Sequence, residues 1–478
     1  MKTATSSRAH DAKKRALFRA KRKASERGIA LIMVLGTLAV LIVMLADFKE
    51  ESAADISAAV ADRDGVKAEY MAKSALNLSR LLIATEPTIR TAVAPIFMMM
   101  KRTPPQLPVW EFSDRILGFF NDEAAGKEAA TTMGIDLTQG KNLTMPGGSF
   151  ELTVVDEDAK INVNLGGAAN TIQKLRLARE LFGIMPVNSA MDPLFDARDK
   201  TGQTHSRAQI CQALIDWADD DDSAFSCDLS NNAPSSSGPE DAYYQLLPKP
   251  YRRKNAPYDS LDEVRMVRGI SDTYWSTFAD PQPNDPKKRV FTVWGTGAVN
   301  VNTANAQTLL ALVCAGAPTA DVCTDVTQAA TFLTGVTMLR GLTMGAPIFG
   351  SAKEFVTAMK GDANSQAGGI FKMMGLKPIK FTSEAEFQKS VSTESKVFSI
   401  YAVGIVKGFK RETRSALHTV VDFRNAAALT SVTPTTGTTT TGATTTPTTT
   451  TTQTSTTDAI TAALKPGTGG SILYYHQE

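Results

Sequence analysis

The 478 residues hold 51 Lys and Arg against 49 Asp and Glu, and 43% are apolar. That is enough chain and apolar content for two or three domains with a sizeable core, and the near-neutral balance excludes a nucleic-acid binder that works by overall charge. The charge is unevenly placed: residues 1–28 carry ten Lys or Arg and only two acids, Asp11 and Glu26, so the remainder is slightly acidic.

Ile29 to Ala46 (IALIMVLGTLAVLIVMLA) follows this basic stretch as eighteen residues without a charge. As a helix rising ~1.5 Å per residue it spans about 27 Å, close to the hydrocarbon thickness of a bilayer. Basic residues before it, and Asp47, Glu50 and Glu51 after it, place the N-terminus in the cytoplasm and the body outside. The apolar run is too long for an ordinary cleaved secretory signal and lacks an A-x-A exit; an uncleaved signal anchor is the plain alternative. Helical periodicity continues from Asp47 to Thr85 without proline, and Pro87 is expected to end it.

A charged leader, Arg27-Gly28, and one helix half in lipid and half in water resemble the N-terminus of type IV pilins and pseudopilins. The resemblance implies cleavage by a prepilin peptidase between Gly28 and Ile29, with methylation of the new terminus. Most pilins have Glu as the fifth residue after the cut. Here that position is Met33. A carboxylate in hydrocarbon is costly unless a neighbouring subunit's amine neutralises it, so a subunit with no neighbour ahead should lack it.

Residues 86–147 yield only a short helical stretch near Trp110–Asn121. Ser149–Asn164 alternates polar and apolar residues around Asp156-Glu157-Asp158, a β-hairpin pattern. Leu165 to Lys380 is mostly helical, and strand pattern returns over Lys396–Phe423 with a turn around Phe409–Thr413. The predicted fold class is α+β: a pilin-like long N-terminal helix and antiparallel sheet, interrupted by a large, mostly helical insertion. The insertion carries a weak repeat. INVN (161–164) and VNVN (299–302) each open a helical segment, and YDSLDEVRMVRG (258–269) matches FGSAKEFVTAMKG (349–361) in pattern. Two similar subdomains of the SAM or helix-hairpin-helix kind are expected.

Four cysteines form two local pairs, Cys211 with Cys227 and Cys314 with Cys323, 16 and 9 residues apart. No C-x-x-C occurs, which disfavours zinc or redox chemistry. Two local disulfides in an oxidising compartment fit the spacing better than four small buried thiols, the remaining alternative.

Asp216-Trp217-Ala218 is followed by four consecutive aspartates, Asp219 to Asp222, and later by Glu240-Asp241-Ala242-Tyr243-Tyr244. Consecutive carboxylates repel unless solvated or neutralised by a cation; hard oxygen donors suit Ca²⁺, although the spacing is not that of an EF-hand. Composition alone leaves a calcium loop and a solvated acidic loop equally open.

The ordered set Asp216-Trp217, Asp219, Asp221, Glu240-Asp241, Tyr243-Tyr244, Pro250-Tyr251, Asn255 with Pro257, Glu263 through Val267 to Gly269, and then NVNTA at Asn300–Ala304 resembles the K-type minor pseudopilins of type II secretion systems. The match takes in the leader, the membrane helix and roughly residues 155–425. It implies structural calcium held by Asp219, Asp221, Glu240 and Asp241, with Asp222 added. It also implies a tip position on the pseudopilus, and as partners the I- and J-type minor pseudopilins, the major pseudopilin, the prepilin peptidase and the inner-membrane secretion platform. The location implied is the bacterial inner membrane, single-pass, with a periplasmic body.

Two other readings share parts of the pattern. A minor pilin of a type IV pilus uses the same helix–sheet logic. A membrane-anchored DNA-binding protein is suggested by NVNTA leading into Leu309, Leu310 and Leu312, as at the entry of helix-hairpin-helix domains. The turns Cys314–Pro318 and Val267–Ser271 lack the paired glycines that would bind phosphate, so nucleic acid is not an expected partner. With only four histidines and no nucleophile elbow or phosphate-cradling loop, enzyme activity is not expected either.

Residues 426–457 are dominated by Thr with Pro and Gly, a composition that cannot bury a core and reads as a disordered spacer. The ending SILYYHQE (471–478) reads as a frayed end rather than a docking strand. The expected organisation is a leader (1–28), a membrane helix (29–46), its periplasmic continuation (47–85), a first part of the sheet (86–164), two helical subdomains (165–295 and 296–385), closing strands (386–425) and a Thr-rich tail (426–478).

Overall fold

The computed structural model describes residues 5–99, 103–118, 121, 148–186, 191–196, 198, 202–229, 242–343, 345–362, 365–408, 411–426 and 468–478. Helix α1 (Thr5–Met99) runs unbroken through the whole N-terminal region. Its apolar part is bare: Leu31, Ile32, Met33, Ile42 and Met44 are each more than 60% exposed. The stretch from Gly28 is long and apolar enough to cross a membrane, and none of its most apolar window is buried.

Further along, one face of α1 turns inward. Ala68, Met71, Ala72, Ala75, Leu76 and Ile83 are buried at the three- and four-residue spacing that puts side chains on one side of a helix. The expected stop at Pro87 does not occur; Pro87 and Pro95 both lie inside the helix. Tertiary contacts override the local penalty there. Glu86 accepts from the Leu107 N–H at 2.8 Å and from Arg90 one turn on, and Arg90 also reaches Glu394 at 2.6 Å. These bonds hold the helix across the proline.

The inward face lies on a four-stranded antiparallel sheet of β1 (Gly148–Asp156), β6 (Val397–Gly408), β7 (Arg411–Asp422) and β8 (Ser471–Gln477), in that order. Phe150, Leu152, Val154, Phe398, Ile400 and Ala402 meet the helix and Trp110 in one core. Contact is closest at Gly404, where a Cβ would stand 1.8 Å from the carbonyl oxygen of Ala68. The strands at 397–422 match expectation. The ending does not: Ser471–Gln477 is a paired strand on β7, from Leu417↔Gln477 to Asp422↔Ser471.

The hairpin expected at Ser149–Asn164 is also absent. After Asp156 the chain makes a 3-10 turn, Glu157–Ala159, and leaves the sheet; the neighbour of β1 is β6, with Asp156 opposite Phe398. The acids that looked like a turn apex instead serve the incoming β6. Asp158 accepts from the N–H groups of Lys396 and Val397 at 2.7 and 3.1 Å.

Between β1 and β6 lies the helical insertion, with its own large core. Its repeat is visible in the backbone. β2 (Ile161–Asn162) pairs in parallel with β3 (Phe291–Thr292), and β4 (Val299–Asn300) pairs in parallel with β5 (Val391–Ser392). Asn162 and Asn300 each accept from the N–H two residues on, of Asn164 and Asn302. α2 (Thr171–Ile184) and α3 (Ala306–Gly316) follow, capped by Asn170 and Asn305. Ser260 and Ser351 then precede the next helical turns. Gly269 and Gly361 end both motifs at φ +82° and +74°, the left-handed region that a Cβ disfavours.

Candidate functional site

Three regions were marked by their residues: the processing point, the acidic turn and the acidic loop. Gly28 and Ile29 lie within α1, and Ile29 is 56% exposed. A Cβ added at Gly28 would meet nothing within 4 Å, so this glycine is not required for packing.

The Asp156-Glu157-Asp158 turn is the joint between sheet and insertion. All three acids and Lys160 are buried. Asp156 Oδ2 accepts from the hydroxyls of Ser395 and Thr303, both at 2.5 Å, and its Oδ1 accepts from the Asp158 N–H. Glu157 pairs with Lys160 at 3.0 Å and accepts from the Thr292 hydroxyl. Asp158 Oδ1 accepts from the Thr296 N–H. One turn thus ties β1, the start of β6, the Thr292–Thr296 segment and the second half of the insertion. Burial, then the adjacent Asp158 carboxylate, push Asp156 up to about 8. Burial also raises Glu157, but Lys160 and the surrounding hydroxyls outweigh it and leave that carboxyl below the usual range.

The acidic loop follows α4 (Arg207–Ala218), whose start is fixed by a capping box between Ser206 and Gln209. Cys211 in α4 is bonded to Cys227 beyond the loop, with Cα atoms 6.2 Å apart, and Cys314 is bonded to Cys323 with Cα atoms 5.5 Å apart. The first disulfide therefore closes the aspartate run into a loop between cysteines 16 positions apart. Asp216 Oδ1 accepts from the Phe225 N–H at 2.8 Å across that loop, and burial pushes Asp216 up to about 7.

A guanidinium sits inside the loop. Arg253, its side chain 3% exposed, donates to the carbonyl of Asp216 at 2.6 Å, the carbonyl of Asp221 at 2.8 Å and Asp222 Oδ1 at 2.9 Å. It also lies 3.5 Å from Asp219 Oδ1, while Lys174 Nζ on α2 is 3.2 Å from Asp219 Oδ2. Asp219 is 1% exposed, so both its oxygens face side-chain cations in the interior. Burial raises the Asp219 carboxyl, against the pull of Lys174.

Asp219 is thus the buried partner of two side-chain cations. Asp221 and Asp222 point outward, with side chains 53% and 93% exposed, and their hard oxygens remain chemically suited to Ca²⁺. Glu240 and Asp241 lie outside the described residues. Among the described residues no three His, Cys, Asp or Glu side chains gather as a metal site. Of the five expected ligands, the described residues thus include Asp219, Asp221 and Asp222. Arg253 and Lys174 are the residues that sequence reasoning missed. The available signal was the basic run Arg252-Arg253-Lys254 just after Pro250-Tyr251, a counterweight to the acids some thirty positions earlier.

Residues 194–278 match the family described as type II secretion system protein K. That span contains the bonded Cys211 and Cys227, the aspartate run and Arg253. Over that span the chain is similar to the protein K family of type II secretion systems. It is 31% identical over 111 residues to type II secretion system protein K of Aeromonas hydrophila, covering 23% of this chain and 29% of that relative. It is also 31% identical over 148 residues to the protein of that name from Pectobacterium carotovorum subsp. carotovorum, covering 28% of this chain and 38% of the relative. The matched region thus spans under two fifths of either curated relative. Among solved structures, the crystal structure of the GspK-GspI-GspJ complex from enterotoxigenic Escherichia coli aligns with a TM-score of 0.37 and 15% identity, over 78% of this chain and 92% of that chain. Within the matched span, the acidic loop is folded around Arg253, which bonds the Asp216 and Asp221 carbonyls and the Asp222 carboxylate.

Proposed function

We propose that this protein is a minor pseudopilin at the tip of the type II secretion pseudopilus, with a structural role in assembling the filament for protein export. One observation carries the reading: a single helix with a bare apolar half and a half packed on a sheet, beside a helical insertion whose residues 194–278 are similar to the protein K family. The bare half anchors the chain in the inner membrane and then packs against other pseudopilin helices. The insertion faces outward at the end of the filament.

In this proposal a prepilin peptidase cuts between Gly28 and Ile29 and the new terminus is methylated. Met33 removes the carboxylate that a subunit ahead would have to neutralise. The body is periplasmic, where Cys211–Cys227 and Cys314–Cys323 can form. The I- and J-type minor pseudopilins are the direct partners, with the major pseudopilin and the inner-membrane platform joining later. No chemical step is assigned to the chain. Calcium is held by Asp219, Asp221, Asp222, Glu240 and Asp241, and its part is to stiffen the loop.

The test is co-purification of the full chain, expressed in membranes, with candidate I- and J-type pseudopilins. A stable complex formed by the chain cut at Gly28 supports the proposal. Recovery of an uncut chain alone, or in a type IV pilus, overturns it. For the metal, the melting temperature of the chain should rise with added Ca²⁺ and fall with chelator; indifference to both removes calcium from the reading.

A further inference from the structure

The C-terminal strand is held in ways that a simple closing strand does not require. β8 lies on the outer edge of β7, and its entry is clamped from α1: Arg80 donates through Nε to the Gly469 carbonyl at 2.8 Å and through Nη2 to the Gly470 carbonyl at 3.0 Å. Gly470 is needed for that fit, and Gly469 lets the guanidinium come close. A Cβ on Gly469 would stand 3.2 Å from the guanidinium, and Gly470 has φ +72° with a Cβ position 2.8 Å from Val421. Thr468, just before them, is 4% exposed. The far end is fixed too, by two backbone hydrogen bonds between Glu478 and Ala416 at 2.9 and 3.0 Å. Tyr474 turns inward against His418 and Trp294, the latter from the insertion.

Yet β8 itself is shallow. Ile472, Leu473 and Tyr475 are 43–45% exposed. The residues it covers are not: Thr419, Val420 and Val421 are fully buried. A bulge between Val420 and Val421 shifts the register midway. Adjacent strands of a sheet are most often joined by short turns, but 20 of the 41 residues 427–467 that lead to β8 are Thr, a composition without a core of its own. Without β8, β7 would present a row of unpaired backbone groups, the usual template for strand addition by another chain.

We propose that Thr468–Glu478 is a tethered strand ligand, and that the β7 edge with Arg80 is a binding site for an extended peptide of its pattern: two glycines, then Ser-Ile-Leu-Tyr-Tyr-His. The resident segment keeps the edge closed. Affinity comes from main-chain pairing, and selectivity from the Arg80 clamp and the Tyr474 position. The inference does not depend on where the subunit sits in a filament.

The test uses the full chain with a protease site placed after Gly442, purified folded and then cut. The C-terminal fragment should stay with the body on size exclusion and exchange with excess labelled Thr468–Glu478 peptide. Arg80→Ala should speed that exchange about tenfold, the equivalent of ~1.4 kcal/mol, while the body's melting temperature stays unchanged. A fragment that leaves at once, with no binding of added peptide, overturns the proposal. So does a fragment that never exchanges, even from the Arg80→Ala chain, since it would then be an ordinary strand of the fold.

Discussion

Asn164 and Tyr258 exchange two hydrogen bonds: the Tyr258 N–H donates to Asn164 Oδ1 at 2.7 Å, and Asn164 Nδ2 donates to the Tyr258 carbonyl at 3.0 Å. Asn302 and Phe349 repeat the exchange at 2.9 Å in each direction. In both halves the next N–H, of Asp259 or Gly350, donates to the acid four residues on, Glu263 or Glu354. The amide thus staples the first strand of each half to the start of its second motif, in one case onto an aromatic hydroxyl-bearing residue and in the other onto a plain ring. The ring is what both cores need; the amide is what both backbones need.

Replacing either asparagine by alanine leaves a backbone N–H and carbonyl without their partner. For Asn164→Ala, the Val293 carbonyl, bonded at 2.8 Å, is orphaned as well. Each substitution should cost about 1–3 kcal/mol, read as a shift in the denaturant midpoint with an unchanged slope. Asn→Asp should fare no better, because the carboxylate keeps the acceptor and loses both donors.

How much of this was legible in the sequence follows from what each signal encodes. The paired Asn and aromatic motifs showed through because a backbone staple needs one residue type at each end. The long helix was readable from periodicity, but its passage through Pro87 was not, since Glu86, Arg90 and Leu107 that hold it lie apart in the chain. Asp156-Glu157-Asp158 looked like a turn because three acids in a row usually seek water. Here they are buried by hydroxyls and backbone donors from residues 292–397, contacts that no local pattern reports. The strand at 471–477 was missed for the same reason: an exposed, aromatic end gains meaning only beside β7.

The contact of α1 with the sheet depends on Gly404. A methyl there would collide with the Ala68 carbonyl, so Gly404→Ala should push helix and strand apart and lower stability by about 1–3 kcal/mol. Gly65, one turn earlier in α1, has nothing within 4 Å of a Cβ. Gly65→Ala should instead add about 0.5–1 kcal/mol from helix propensity alone. Thermal melts of the two variants moving in opposite directions would establish the packing; equal effects would refute it.

Glu180, in α2, is buried, and among the described residues neither of its carboxyl oxygens has a hydrogen-bond partner. Burial pushes it up to about 8, with Arg176 pulling weakly the other way. The folded state therefore binds a proton that the unfolded chain has released, so this group's contribution to stability is intact at acid pH and is lost as pH rises through about 8. Glu180→Gln, which cannot ionise, should flatten the fall in melting temperature between about pH 5 and 8 that the unaltered chain shows. An unchanged slope would assign the pH dependence to Asp156 and Asp216 instead.

Arg253 offers the sharpest separation between an acidic loop held by protein and one held by metal. Its guanidinium bonds two carbonyls and one carboxylate of the loop and lies beside a second carboxylate, Asp219, that is itself buried. Arg253→Ala leaves Asp219 with Lys174 as its remaining described cation and should cost about 3–5 kcal/mol, the range for breaking a buried pair on one side. Arg253→Lys retains charge but not the fork that spans the Asp216 and Asp221 carbonyls, and should recover less than half of the loss. If calcium does most of the neutralising, both variants will melt near the unaltered chain when Ca²⁺ is saturating and well below it in chelator. If the guanidinium does, the deficit will persist at any calcium concentration, with the Cys211–Cys227 bond keeping the loop closed but unable to restore its contacts.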